Sequence, residues 1–174
     1  MSVSRNQIVL TLAQGFGLGR IPVAPGTFGT MLGFPWTFLL LTTGTLPLYL
    51  LGSLLGIMGA VWICGEAELI LGRKDDPSIV LDEIVAMPVA FFGWFLVWRQ
   101  AAGFWPGPGV MVLNFNWIYS LGVFALFRFF DIAKPWPIGR TQDLWGGLGV
   151  VADDIAAGVA AGIVCFLAMS MLVG

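Results

Sequence analysis

Residues 128 to 154 hold Arg128, Asp131, Lys134, Arg140, Asp143, Asp153 and Asp154, with apolar runs on both sides. A charged side chain near the centre of a bilayer costs roughly 2.5–3.5 kcal/mol on insertion scales, and less near its edge. Charges gathered between runs of this kind must sit at a membrane surface, or in a protein interior that gives them partners. Either arrangement restricts the fold to helices stacked with their charged ends together.

Composition supports the membrane reading. Of 174 residues, 58% are hydrophobic and 10% charged, against about 25% charged in soluble domains. Too little polar surface is present to cover a globule in water. Apolar stretches fall at about 28–43, 46–64, 80–98, 117–130 and 155–173, preceded by a short run at 8–12. The short run is too brief to cross ~30 Å of hydrocarbon, so an interfacial or re-entrant segment is expected there. No internal repeat or long linker divides the chain. The expectation is an all-α polytopic membrane bundle with about five spans, forming a single domain over residues 1–174. The N-terminus has no signal-peptide pattern and is expected to remain attached.

With the N-terminus inside, Arg5, Arg20, Arg73, Lys74, Arg128, Lys134 and Arg140 fall on the cytoplasmic side and only Arg99 outside. That is a clear positive-inside bias. The ten acids fall on the same side. A protein needing only an anchor has no reason to gather both signs at one face.

Several chemistries are excluded at once. The net charge of −2, with no basic run, gives no footing for nucleic acid. The chain has no histidine, which removes His bases, His nucleophiles and His-ligated metals. Cys64 and Cys165 lie in apolar runs outside any C-x-x-C pattern and read as small hydrophobes.

The remaining charges are weighed one by one. Asp82 and Glu83 start the third span. The helix dipole there accounts for one acid, but two adjacent acids repel unless a cation lies between them. Arg128 and Asp131, three residues apart, share a helix face, and Lys134 extends the line. An internal ion pair explains them alone, but K-P-W-P follows and fixes the chain direction beside them. Asp153 and Asp154 are expected to open the fifth helix, above a stripe of Gly158 and Gly162 that allows another helix to come close. An N-cap and a first-turn acid are the plainer account of that pair.

Three helices thus bring Asp82, Glu83, Asp131, Asp153 and Asp154 to one depth. Without His or Cys, a set of oxygen ligands suits Mg²⁺ before Mn²⁺. Mg²⁺ usually engages a phosphate as well, for which Arg128, Lys134 and Arg140 supply positive charge. The G-F-G-L-G-R-I-P-V-A-P-G-T segment adds backbone N–H groups and the Thr27 hydroxyl. Glu66 and Glu68 point to different sides of a helix and read as peripheral.

Four motifs now stand in order: G-F-G-L-G-R-I-P-V-A-P-G-T-F-G-T (15–30), D-P-S-I-V-L-D-E (76–83), R-F-F-D-I-A-K-P-W-P (128–137) and G-G-L-G-V-V-A-D-D-I-A-A-G (146–158). In them the chain resembles the phosphatidylglycerophosphatase A family of bacterial membrane enzymes over nearly its whole length. The resemblance implies Mg²⁺-dependent removal of the terminal phosphate of phosphatidylglycerophosphate at the inner membrane, in phospholipid biosynthesis. It implies an active-site set of Asp82, Glu83, Arg128, Asp131, Lys134, Asp153 and Asp154, with Asp75 or Asp76 a further candidate. Metal-activated water and a carboxylate nucleophile such as Asp131 both remain open, with water preferred. A CDP-alcohol phosphotransferase-like enzyme wants D-G-x2-A-R, which is missing. A small cation-coupled transporter is the alternative from another class. Nothing in the sequence sets an oligomeric state.

Overall fold

The computed structural model describes residues 4–173; the side chains of residues 142, 143 and 173, Asp143 among them, lie outside the description. Ser4 and Gln7 cap α1, Arg5–Ala13, reciprocally: the Ser4 hydroxyl accepts from the Gln7 N–H and the Gln7 side chain from the Ser4 N–H. A 3₁₀ turn, Gly15–Arg20, leads to α2, Pro25–Leu41, with proline at its first position, where the missing N–H costs nothing. Then follow α3 (Leu46–Leu71), α4 (Leu81–Ala102), α5 (Trp117–Ala133) and α6 (Gly147–Val173), with no strand among the described residues.

Among the described residues three helices, α3, α4 and α6, are long and apolar enough to cross a membrane. The 17-residue helices α2 and α5 reach only about 25 Å each at 1.5 Å per residue. The expected count of five spans therefore turns on these two short helices.

The five longer helices alternate in direction. Gly26, at the start of α2, lies against Glu83 at the start of α4, while Gly52, early in α3, lies against Leu40 at the end of α2. Arg128, late in α5, meets Thr30, early in α2. The charged ends of α2, α4, α5 and α6 consequently share one end of the bundle. At its centre runs α4, with 72% of its most apolar window buried, against 17% in α3 and 28% in α6. The outer helices thus keep their apolar faces for lipid, while α4 is wrapped by protein.

Small residues let the helices approach. A methyl at Gly93 would collide with the Gly162 carbonyl oxygen, and one at Gly158 would lie 3.0 Å from the Ala86 carbonyl oxygen. The stripe beneath Asp154 therefore meets α4 backbone to backbone, and the acids above it turn inward. At the far end Tyr49 is fully enclosed, donating to the Pro88 carbonyl at 2.8 Å and packing against Phe92, Phe95 and Trp105.

Two boundaries differ from expectation. The last helix begins at Gly147, six residues before the expected opening at Asp153, so Asp153 and Asp154 sit at the end of its second turn and do not cap it. The glycines of G-G-L-G are poor helix formers, but Gly147 packs so tightly on α3 that a methyl there would collide with the Val61 carbonyl oxygen. Tertiary packing overrides propensity at this point. Likewise α3 continues through Glu66 and Glu68 to Leu71 and ends at Gly72, which takes the left-handed conformation usual after a helix.

Candidate active site

At the charged end, a cavity of about 300 Å³ is bounded by the starts of α2 and α4, the end of α5, the second turn of α6 and the 75–79 loop. Asp82, Glu83, Asp131, Asp153 and Asp154 all line it, and each is 9% exposed or less. Asp82, Glu83 and Asp154 form the tightest group: each offers one carboxylate oxygen within 4.8 Å of the other two. The first-turn position of α4 places Asp82 and Glu83, and the second turn of α6 brings Asp154 across to them.

The basic residues are held at the rim by the remaining acids. Arg128 Nη1 lies 2.5 Å from Asp131 Oδ2 and 3.8 Å from Glu83 Oε1, and donates to Thr30 Oγ1 at 3.4 Å. Lys134 leaves the helical line, ending α5 in the left-handed conformation. Its ammonium turns to an ion pair with Asp153, nineteen residues on. The Asp153 hydrogen bond and the neighbouring carboxylates raise the Lys134 pKa, against the opposing effect of partial burial, so it carries its charge throughout the physiological range.

Seven carboxylates line the cavity, Asp75 and Asp76 included, against the two cations Arg128 and Lys134, an excess of negative charge that is tightest at Asp82, Glu83 and Asp154. At 4.8 Å, two like charges repel by about 3–4 kcal/mol with an effective dielectric of 20. No helix dipole of ~0.3–1 kcal/mol offsets three such pairs. The trio is held together only with protons or added positive charge to relieve that repulsion. Glu83 Oε2 is buried and has no hydrogen-bond partner, leaving an acceptor for a cation to satisfy. An oxygen-only donor set of this kind fits a hard divalent ion. Arg128 Nε is also buried without a partner, a spare donor beside the cavity for an anion.

Other predicted residues lie elsewhere. Arg140 is exposed, with its guanidinium 6.0 Å over the Trp136 ring, and does not line the cavity. Thr27, predicted to offer its hydroxyl, is not among the lining residues either. Gly26 and Thr30 occupy the face that meets Arg128, and the sequence reading missed both. Their spacing of four after Pro25 was the available signal, since it puts them on one face of a helix that starts there. Gly15 and Gly19 serve packing, since a methyl at Gly19 would collide with the Ser78 carbonyl oxygen, while Gly17 stands in open space at a φ of +98°. Glu66 pairs with Arg5 at 2.7 Å and Glu68 accepts from the Asp75 N–H at 2.6 Å, and neither glutamate lines the cavity.

Asp75 and Asp76 do line the cavity. Asp76 Oδ1 accepts from both the hydroxyl and the N–H of Ser78, at 2.6 and 2.9 Å. The hydroxyl bond holds its carboxyl below the usual carboxylate range. Ser78 in turn accepts from Gln14, and Gln14 from Arg20. This polar chain fastens the loop that leads into Asp82, so Asp76 orders the rim.

Gly26 gives a direct check on the geometry. A methyl there would collide with Glu83 Oε1 and lie 3.1 Å from Arg128 Nη1. Both obstructing atoms are ends of side chains, so the fold survives while the cluster is displaced. Gly26→Ala protein is expected to be produced and to melt normally, with the activity of the site lowered about 100-fold, comparable to losing one fixed stabilising group. Parallel melting and activity measurements on the purified variant check this.

The phosphatidylglycerophosphatase A family model matches residues 11–169, a span that includes every residue of this cavity. The chain belongs to that family. It is 36% identical over 159 residues to phosphatidylglycerophosphatase A of Escherichia coli (strain K12), covering 90% of this chain and 81% of that protein. To phosphatidylglycerophosphatase A of Haemophilus influenzae it is 35% identical, covering 89% of this chain and 85% of that protein. A protein of Bacteroides thetaiotaomicron, provisionally named a phosphatidylinositol-3-phosphatase, is 33% identical, with 85% of each chain covered. No solved structure matches significantly. Family membership and the three long apolar helices together make this a membrane protein of the lipid-phosphatase class.

Proposed function

We propose that this chain is a Mg²⁺-dependent phosphatidylglycerophosphatase, releasing inorganic phosphate and phosphatidylglycerol at the cytoplasmic face of a bacterial inner membrane. The observation that carries the reading is the meeting of Asp82, Glu83 and Asp154 with Arg128 and Lys134 around one cavity. The names of the E. coli and H. influenzae relatives supply the substrate. The excess of Arg and Lys at the cavity end supports the cytoplasmic orientation. With α2 and α5 included, five spans carry the chain from an inside N-terminus to an outside C-terminus.

Asp82, Glu83 and Asp154 would hold Mg²⁺, which supplies charge neutralisation to phosphate oxygens and to an attacking oxygen. Arg128 binds the phosphate through its spare Nε, while Asp131 fixes the guanidinium plane. Lys134, steered by Asp153, adds a second positive charge at the rim. Donors of this kind stabilise the charge that spreads over the equatorial oxygens as the phosphoryl group transfers. Asp131 is clamped by Arg128 at 2.5 Å, which makes it a poor nucleophile and favours water as the attacking group.

Purified protein should release phosphate from phosphatidylglycerophosphate in detergent micelles with Mg²⁺ and stop with EDTA. Phosphatidylinositol 3-phosphate is the control substrate, prompted by the name of the B. thetaiotaomicron relative. Turnover of that lipid alone would replace the proposed substrate. Cation-driven flux in liposomes without phosphate release would replace the enzyme reading with the transporter.

A further inference from the structure

We propose that the lipid whose phosphate enters the polar cavity lays one acyl chain along the seam between α2 and α5, with the chain reaching an apolar cavity further along that seam. The proposal rests on the lipid-phosphatase reading above. The second cavity holds about 430 Å³ and is lined by Phe34, Pro35 and Phe38 of α2, Trp117 and Leu121 of α5, and Val112. Its wall presents hydrocarbon: the Ser120 hydroxyl that reaches it is already donated to the Met111 carbonyl at 2.8 Å. A chain is the occupant such a wall accepts.

The two cavities lie on one line. Near the polar end of the seam Arg128 meets Gly26 and Thr30. The next contact is the Phe34–Phe124 ring pair at 5.9 Å, and the apolar cavity begins at Phe34. On α5, Trp117, Leu121, Phe124, Arg128 and Ile132 follow at spacings of three and four and share a face. Gly26 to Pro35 on α2, and Asp131 to Leu121 on α5, each span about 13–15 Å of helix. That is close to half the ~30 Å hydrocarbon thickness, so a long acyl chain in the leaflet of the phosphate reaches the near edge of the apolar cavity at Pro35 and Leu121, while its far side at Phe38 and Trp117 lies about 18–21 Å along the helices.

The polar cavity also opens towards this side. Ile132 lines it and is 71% exposed, so its wall continues directly onto the lipid-facing surface of α5. The rival seam between α4 and α6 has its own apolar groove beside Val89, Gly93 and Gly162. There, however, the backbones close on each other, with the Gly93 and Gly158 positions too tight for a methyl to enter freely.

The test compares dioleoyl with dibutyryl phosphatidylglycerophosphate, whose short chains end before the second cavity. Leu121→Trp fills the cavity from α5. Val112→Phe fills it from the opposite wall at a position already 56% exposed, where the fold tolerates bulk. Each variant is expected to raise KM for the dioleoyl lipid about tenfold, the equivalent of about two buried methylenes, while KM for the dibutyryl lipid holds. If the ratio of the two KM values stays at the wild-type level in both variants, the chain does not lie there. Absence of turnover of either lipid by the wild-type protein would instead overturn the proposed function.

Discussion

Asp82→Asn and Asp154→Asn proteins are expected to lose phosphate release by about 1,000-fold, yet to melt at or above the wild-type temperature in EDTA. The two halves of this result have one cause. Asp82, Glu83 and Asp154 bring three carboxylate oxygens within 4.8 Å of one another, inside a part of the protein where each residue is at most 9% exposed. Neutralising one member removes two repulsive pairs of about 3–4 kcal/mol each at an effective dielectric of 20. Relaxation absorbs much of that, and a net gain of about 1 kcal/mol corresponds to roughly 2–4 °C for a chain of this size. Adding Mg²⁺ should reverse the order. Wild-type protein gains about 2.7 kcal/mol when the ion stands at 100 times its dissociation constant, and the variants gain little. Cys64 and Cys165 are both buried and unpaired, so a thiol-reactive dye reports unfolding directly. Variants that melt lower than wild type in EDTA, or that keep full activity, would show that the trio is an ordinary packed cluster.

Much of this site is legible in the sequence because the membrane makes charge conspicuous. In a chain with 18 charged residues, five acids within or beside apolar segments stand out, and the structure gathers Asp82, Glu83, Asp131, Asp153 and Asp154 around one cavity. Arg128 and Lys134 stand out for the same reason. Hydropathy is a poor guide to where a helix begins, because it ranks glycine as indifferent. The expected helix therefore opened only at Asp153 and left out the G-G-L-G stretch, although Gly147 packs directly on α3. The same blindness hid Gly26. A missing side chain leaves no chemical signal, yet it sets how closely α2 approaches Glu83. Thr27 and Thr30 differ only in helical phase, which depends on a start at Pro25 that composition does not supply. Arg140 shows the opposite failure. Its charge and position fit a phosphate ligand, but the turn after K-P-W-P carries it over Trp136, away from the acids.

Arg128 should separate stability from substrate binding more sharply than any other residue. Its guanidinium touches Asp131, approaches Glu83 and reaches Thr30, so Arg128→Gln leaves two buried acids short of their cation. Breaking a buried ion pair from one side costs about 3–5 kcal/mol, which at about 2–4 °C per kcal/mol is a fall in melting temperature of roughly ten degrees. Phosphate release should fall about 100- to 1,000-fold, as when one electrostatic stabiliser is withdrawn. Removing the stranded charge with a second substitution, Asp131→Asn, tests which loss belongs to which role. The double variant should recover most of the stability, because the nearer of the two stranded acids no longer faces Arg128's former place as a charge, with a coupling energy of about 1–3 kcal/mol. It should recover none of the activity, because the donor for the phosphate is still gone. Recovery of both would reduce Arg128 to a counter-ion for Asp131. Recovery of neither would mean that Glu83, at 3.8 Å, is the carboxylate that depends on it, and the Arg128→Gln/Glu83→Gln pair would then carry the coupling.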